Sequence, residues 1–306
     1  MIELKKHIFL IPGENGSRFP YCTGLYVQGR NLRVLIDAGM GRTAVEGCRR
    51  QGVDLLVLSH CHIDHRLLAP LLPGVPVGAH EKEVPFLEDR KTFLEGVGFQ
   101  RGGISVEGLF PGQTIPFLQV RERFQHGQRL DLGGLTIELL HTPGHTPGHL
   151  AFFIPEAALL FSADIDLSPF GPFYGHDFAR IEEFIASIRL LKKVKAELLA
   201  TGHGGLYSDG ITERLSAFEE VIYNRDRLVL KELAQPRSLD FFLNRNLFYN
   251  HYPEPQALIR WFEQVHLEKQ LARLIRLGRV LNENGSYRRL SGCPDTLNSQ
   301  GRRIPD

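Results

Sequence analysis

The chain of 306 residues is predicted to adopt an α/β fold. Strand-like apolar runs alternate with helix-like segments through its first half, which is the pattern of sheets covered by helices. Val53–Leu58 is an apolar run interrupted only by Asp54, typical of a strand buried on both faces. The composition, 42% hydrophobic and 23% charged, is that of a globular protein. No apolar run reaches the roughly 18–20 residues that a membrane-spanning helix needs, so we expect no membrane partner and a cytoplasmic location.

Individual elements follow from hydrophobic runs and their period. Strands are predicted at Ile8–Ile11, Gly24–Val27, Leu32–Ile36, Val53–Leu58, Val75–Ala79, Leu135–Leu140, Leu150–Ile154, Ala158–Phe161 and Leu198–Ala200, and helices at Thr43–Arg50, Glu81–Glu95 and Arg180–Val194. Residues 96–128 are rich in Gly, Pro, Phe and Arg and lack a clear period. Such a segment is either a functional lid or binding loop or a disordered surface insertion.

The pattern changes after Gly210, where helical spacing dominates. Asn284-Gly285 is a strong hairpin signal between two short strands in Arg279–Leu290. Three helices followed by a hairpin describe a small, mainly helical, winged-helix-like module. We therefore expect a catalytic domain over 1–208, the module over 209–290 and a polar tail over 291–306.

Metal-capable side chains cluster directly after the buried strand. His60, His62, Asp64 and His65 lie within six residues. Imidazole and carboxylate ligands suit zinc, iron or manganese. A chance surface cluster would not follow a fully apolar strand, so these residues predict a metal site at the edge of the sheet.

The motifs resemble those of the metallo-β-lactamase superfamily, whose signature is HxHxDH. Asp37, at the end of a predicted strand, resembles the family's structural aspartate below the site. His145 in TPGHTPGH, Asp164 in FSAD and His203 in TGHG resemble its remaining ligands, and the likeness covers residues 1–207. The resemblance implies a four-layer αββα sandwich.

Carried over to this chain, the resemblance implies two divalent ions, zinc first, with iron or manganese as alternatives. One ion would be held by His60, His62 and His145, the other by Asp64, His65 and His203, with Asp164 bridging them. A hydroxide shared by the two ions would act as nucleophile, and Asp64 would also orient it as the catalytic carboxylate.

Three histidines compete for one ligand position in the TPGHTPGH loop. His149 directly precedes a strand, which favours a fixed structural hydrogen bond, and His141 directly follows one. His145 lies in the middle of the loop beside a glycine and is the predicted ligand. Tyr174 and His176, shortly after Asp164, are candidate substrate-contacting residues, with ordinary loop packing as the alternative.

Three enzymatic interpretations follow. The body is similar to glyoxalase II, which indicates hydrolysis of a small-molecule thioester, ester or lactone. The C-terminal module resembles that of the β-lactamase-like endoribonucleases, which indicates single-stranded RNA. HCHxDH also occurs in persulfide dioxygenases with one iron, although their cysteine-glycine-arginine stretch is not found here. A fourth interpretation is a metal-stabilised scaffold with a vestigial site.

The endoribonuclease interpretation depends on one predicted helix face. Residues 269–306 carry eight Lys or Arg against three Asp or Glu, although the whole chain has a net charge of only +1. Lys269, Arg273 and Arg276 fall opposite the apolar face of the last helix and would contact phosphates. A basic helix face is often only solvated, and such a module can also serve to pack or to form a homodimer.

Overall fold

The computed structural model describes residues 1–109, 114–250 and 254–290. Two sheets pack face to face, which confirms the predicted α/β sandwich. The first sheet has the order β1 to β7, formed by Ile2–Lys5, Ile8–Ile11, Gly24–Gln28, Arg33–Ile36, Leu55–Val57, Val77–His80 and Val120–Phe124. The second has the order β13-β12-β11-β10-β9-β8, and its strands β8 to β13 are Arg129–Asp131, Thr136–His141, Leu150–Ile154, Leu159–Phe161, Leu198–Ala200 and Leu206–Tyr207.

Helices cover the outer faces of both sheets. The helices of the body, α1 to α7, are Glu14–Ser17, Arg42–Gln51, Ile63–Arg66, Val84–Glu88, Arg90–Val97, Val106–Leu109 and Ile181–Leu191, with short 3₁₀ helices at Ala69–Leu71 and Pro155–Ala157. Among the described residues, every helix is too short or too polar to cross a membrane.

The alternation of side chains along the strands builds two apolar layers. In β3, Leu25 and Val27 enter the cluster between the sheets, whereas Tyr26 enters the cluster beneath the helices. The same alternation holds in β10, where Leu150 and Phe152 point between the sheets and Ala151 points outward. Both faces of these strands are therefore buried, as expected for a sheet flanked by helices.

Parallel pairing brings several strand ends to one edge of the sandwich. Strands β4, β5, β6 and β7 are parallel neighbours, and β11 is parallel to β12. The carboxyl ends of β4, β5, β11 and β12 therefore open on the same side, and the loops that follow them meet there.

The edge strands β1, β8 and β13 were not predicted, and two further segments differ from the prediction. The helix expected over Glu81–Glu95 is broken at Asp89, whose extended backbone and side-chain bond to Thr92 N begin α5. The region 96–128, expected to be irregular, contains α6 and the edge strand β7. This strand has buried ends, Val120 and Phe124, around three exposed charged residues, so alternation is lost. Residues 110–113 of this region lie outside the described part.

The C-terminal region has the order helix, strand, helix, helix and hairpin. Its helices α8, α9 and α10 are Ile211–Glu232, Leu239–Leu243 and Gln256–Arg276, and its strands β14, β15 and β16 are Arg237–Ser238, Val280–Glu283 and Ser286–Arg289. The hairpin turns at Asn284 and Gly285, both with positive φ, as their sequence indicated. The predicted tail, 291–306, lies outside the described residues.

The two long helices belong to two hydrophobic clusters at once. The first halves of α8 and α10, with residues such as Phe218 and Trp261, pack in the cluster of the body. The second halves, with residues such as Val229 and Leu271, pack around Phe242 of α9 in a separate cluster. The body and the C-terminal region are therefore joined along the length of these helices.

Two of the three cations on the predicted basic face of α10 bind groups within the protein, which favours the packing alternative. Lys269 is half-buried and donates to the backbone oxygens of Asp177 and Ala179, at 3.0 and 2.8 Å. Arg273 is buried between Asp226, at 3.1 Å, and Glu182. Arg276 is exposed and also pairs with Glu182. The charges lie opposite the apolar face as predicted, but that side of the helix packs against the protein.

We expect Arg273→Met to lower the free energy of unfolding by about 3–5 kcal/mol, because it leaves the buried Asp226 carboxylate without its cation. Arg276→Met removes an exposed ion pair and should cost no more than about 1 kcal/mol. Urea unfolding followed by circular dichroism measures both. Equal, small effects would indicate a solvated face.

Candidate metal centre

The seven predicted ligands meet at the open edge of the sandwich. His60, His62, Asp64 and His65 follow β5, and the last two lie in the short helix α3. The other three come from the second sheet, where His145 lies in the loop between β9 and β10, Asp164 follows β11 and His203 follows β12. The structure therefore brings together residues that are up to 143 positions apart in the sequence.

The donor atoms form two groups. His60, His62, His145 and Asp164 offer atoms that all lie within 4.8 Å of one another, and Asp64, His65 and His203 do the same. Asp164 lies between the groups, since its Oδ2 is 3.1 Å from His145 Nε2 and its Oδ1 is 3.0 Å from His65 Nε2. This partition is the one that the family resemblance implied.

Three histidines have their tautomer fixed by the protein. The Nδ1 atoms of His65, His145 and His203 lie 2.8, 2.9 and 2.6 Å from Asp37 Oδ2, Phe173 O and Ser17 O, respectively. Because a carbonyl or carboxylate oxygen only accepts, each Nδ1 must carry the proton. Each Nε2 atom therefore points into the site, where the neutral form of the ring would direct its lone pair at a metal ion.

The converging atoms fit a cation. His65 Nε2 faces Asp164 Oδ1 at 3.0 Å and His203 Nε2 at 3.4 Å, so with neutral rings these atoms would all be acceptors facing one another. Asp164 Oδ1 is buried and accepts no hydrogen bond from the described residues. Burial disfavours a charged ring at His203, yet Asp164 and Asp64 raise its pKa well above the usual value. The site therefore attracts positive charge, which divalent ions would supply.

His60 and His62 are neutral in this environment. Burial, and after it the neighbouring His65, lowers the pKa of His60 well below its usual value. Burial and the neighbouring His145 do the same to the pKa of His62. A neutral imidazole is the form that binds a metal ion, so both rings are ready to act as ligands.

Asp37 supports the site from below, in the position that the resemblance implied. Its carboxylate accepts from Ser59 N and Ser59 Oγ, both at 2.8 Å, as well as from His65. Ser59 Oγ in turn lies 2.9 Å from His60 Nδ1. Gly39 passes so close beneath the backbone oxygen of Asp64 that a Cβ atom would overlap it. The aspartate and glycine after β4 thus hold the first ligand loop.

The structure separates the three histidines of the TPGHTPGH loop as predicted. His149 lies 2.8 Å from Thr142 Oγ1 through Nδ1 and accepts from Asp164 N through Nε2. His141 donates to Pro147 O and stacks on His80. Only His145 of the three belongs to a ligand group among the described residues.

The two candidate substrate-contacting residues have different positions. The ring of His176 lies 4.7 Å from that of His62, beside the centre. The hydroxyl of Tyr174 instead donates to Gln270 Oε1 of α10 at 2.7 Å, and its ring is fully buried. The packing alternative therefore fits Tyr174, because this side chain packs against the C-terminal helices.

Glu83 is a functional residue that the sequence did not reveal. Its carboxylate is fully buried and accepts from Cys61 N at 2.8 Å, in the first ligand loop. It also accepts from Thr146 Oγ1 and Gly148 N, both at 2.6 Å, in the loop of His145. One carboxylate therefore ties together the two loops that supply most of the ligands.

We expect Glu83→Gln to weaken metal binding by about 10–100-fold, as loss of a group that supports ligands does elsewhere. The amide group of glutamine would face a backbone N–H, so the free energy of unfolding should also fall by about 1–3 kcal/mol. Competition with a chromophoric chelator and denaturant unfolding measure the two effects. Glu81→Gln, which changes an exposed carboxylate two residues away, is the control; equal metal affinity in both variants would contradict the assignment.

Comparison with known proteins agrees with this geometry. The profile described as "Metallo-beta-lactamase superfamily" matches residues 19–203. The hydroxyacylglutathione hydrolase GloC of Haemophilus influenzae is 27% identical over 207 residues, which are 64% of this chain and 91% of that protein. The crystal structure of a metallo-beta-lactamase family protein from Thermus thermophilus aligns with a TM-score of 0.75 at 22% identity, over 94% of this chain and 100% of the other.

A beta-lactamase domain protein from Burkholderia ambifaria aligns with a TM-score of 0.70 at 18% identity, over 94% of both chains. These two structures share the fold beyond the matched profile, into the C-terminal region. The profile match over more than half of the chain, on a sandwich with this ligand arrangement, means that the protein belongs to the metallo-β-lactamase superfamily.

Proposed function

We propose that this hydrolase of the metallo-β-lactamase superfamily uses two divalent metal ions to cleave a small thioester, with other small esters and lactones as alternatives. The observation that carries the proposal is the position of Asp164. Its two carboxylate oxygens face separate groups of ligands, which is the arrangement that two neighbouring ions require.

The donor set suits zinc, and also iron or manganese, because it consists of imidazoles and carboxylates. When bound, such ions would lower the pKa of a coordinated water molecule and would polarise the substrate's carbonyl oxygen. The protein then needs no serine or cysteine nucleophile.

The positions of the side chains indicate which of them orients the attacking water and from which side substrate enters. Asp64, with Oδ2 3.3 Å from His203 Nε2, is placed to accept a hydrogen bond from the attacking water and so to orient it. Solvent reaches the site past Asp164 and His203, whose side chains are 10% and 17% exposed, whereas His60 and His65 are fully buried. Substrate is therefore expected to enter on the side of Asp64 and His203.

Aromatic side chains close the opposite side. His62 stacks on Phe178 and contacts His176, and the His176 ring lies 5.2–5.4 Å from those of Phe99, Phe173 and Phe262. This wall excludes water from the buried ligands and offers an apolar surface to an acyl group. It supports a small acyl substrate, with His176 as the residue of the wall nearest a ligand.

Similarity to GloC supports a thioester in particular, since that protein's name describes hydrolysis of hydroxyacylglutathione. Single-stranded RNA has less support, because Lys269 and Arg273 are bound within the protein. A persulfide dioxygenase would need one iron ion, which the metal content distinguishes.

We expect the purified protein to contain two equivalents of metal and to hydrolyse a hydroxyacyl thioester of glutathione. Asp164→Asn should lose both the metal and the activity, because it removes charge from the group between the two ligand sets. Elemental analysis and release of free thiol measure these effects. Asp209→Asn, at a side chain that is 82% exposed, is the matched control and should retain both.

Three results would contradict the proposal. One equivalent of iron with oxygen consumption on a persulfide would identify a dioxygenase. Cleavage of single-stranded RNA without thioester turnover would identify a nuclease. Full activity in Asp164→Asn would mean that the converging ligands are not the catalytic centre.

A further inference from the structure

A segment without regular secondary structure forms one side of the metal centre. It runs over residues 168–179, between β11 and α7, and most of it is buried. Buried backbone that lies outside helices and sheets needs other hydrogen-bond partners to stay in place. Much of what holds this segment comes from the C-terminal helices.

The segment touches the candidate ligands at three points. Phe173 O accepts the Nδ1 proton of His145 at 2.9 Å and thereby fixes the orientation of that ring. His176 and Phe178 contact the ring of His62. His62 and His145 belong to the same ligand group, so a shift of the segment would move that group of ligands and not the other.

Arg225 of α8 holds the segment immediately before Phe173. Its Nη1 donates to Pro172 O at 2.7 Å and its Nη2 donates to Phe170 O at 2.6 Å. The guanidinium also lies over the rings of Phe170 and Tyr174, at 4.5 and 5.1 Å from their centroids. Arg225 is 4% exposed. A buried guanidinium holds two donors in one rigid plane and so fixes the relative orientation of two carbonyls, which the rotatable ammonium group of a lysine does less rigidly.

Helix α10 holds the same segment from its other side. His266 Nε2 accepts from Tyr174 N at 3.1 Å, and Gln270 Oε1 accepts from the Tyr174 hydroxyl at 2.7 Å. Lys269 donates to Asp177 O and Ala179 O. The helix therefore binds the backbone of the segment on both sides of His176.

We infer that α8 and α10 are structural parts of the metal centre, and that Arg225 is the positioning residue that fixes the Phe173 carbonyl against His145. The C-terminal region then acts on the metal ligands through the 168–179 segment. The inference rests on the proposed metal centre, but not on which substrate is hydrolysed.

The test compares the metal-loaded wild type with Arg225→Met and Arg225→Lys. Arg225→Met should weaken one of the two bound ions by about 10–100-fold, the range seen when groups that orient a ligand are lost, and leave the other ion unchanged. Amide hydrogen exchange should rise within residues 168–179. Arg225→Lys should recover part of both effects. Stepwise release of zinc to a chromophoric chelator measures affinity ion by ion.

Two further variants keep the test decisive. Arg227→Met, on the same helix with an ion pair to Glu220, is the control and should bind both ions as the wild type does. Tyr174→Phe removes the hydroxyl that binds Gln270 but keeps Arg225, and should raise exchange in the segment by a smaller amount. If Arg225→Met does not fold, Arg225→Lys and Tyr174→Phe decide the question.

The outcomes separate this inference from the proposed function. Folded variants with unchanged exchange in 168–179 and unchanged affinity for both ions would overturn it, as would equal weakening of the two ions, which indicates general destabilisation. A wild type that binds two ions but does not hydrolyse thioesters would refute the substrate and leave the inference standing. A wild type that binds no metal would refute both.

Discussion

The protons on the Nδ1 atoms of His65, His145 and His203 are each held by an acceptor of the protein, so the three Nε2 atoms point into one buried space. Two carboxylates lie in the same space. Acceptors that face one another away from water repel, and only added positive charge offsets the repulsion. The acceptors come from distant parts of the chain: Asp37 after β4, Ser17 between β2 and β3, and Phe173 after β11. The fold must therefore place these three hydrogen-bond acceptors, as well as the ligands themselves, around the same site.

Two buried charged side chains that are not candidate ligands hold the irregular loops of the site in place. Glu83 joins the loop after β5 to the loop of His145 through three hydrogen bonds. Arg225 fixes the segment that carries Phe173. Both charges are hydrogen-bonded to groups that would otherwise be unsatisfied, which is the condition under which a buried charge is tolerated. The Glu83 carboxylate accepts hydrogen bonds from two backbone N–H groups and a hydroxyl, and the Arg225 guanidinium donates to two backbone oxygens. Each loop is therefore held by a side chain whose charge complements the backbone groups that it presents.

The inner strands of both sheets and the ligands could be predicted from the sequence, because a buried strand and a metal ligand both have local signatures. The long apolar run before His60 and the histidine-rich motifs are examples. The edge strand β7 was missed because pairing on one side allows charged residues at its centre. The break at Asp89 has a local signal in the sequence, since aspartate is a preferred residue at the start of a helix. Glu83 had none, since it is one of several glutamates in a polar stretch and only tertiary contacts distinguish it.

The basic face of α10 shows why a charge pattern does not identify a surface. The pattern on one helix places Arg273 opposite the apolar side, but its partners, Asp226 and Glu182, lie on α8 and α7. An apolar residue at position 273 could pack in several registers of the helix, whereas the buried Arg273 needs Asp226 and Glu182 as partners at the same time. The pair therefore selects one register of α10 against its neighbours. That register also determines where Gln270 meets the segment beside the metal centre, so cations that resemble a binding surface instead help to build the site.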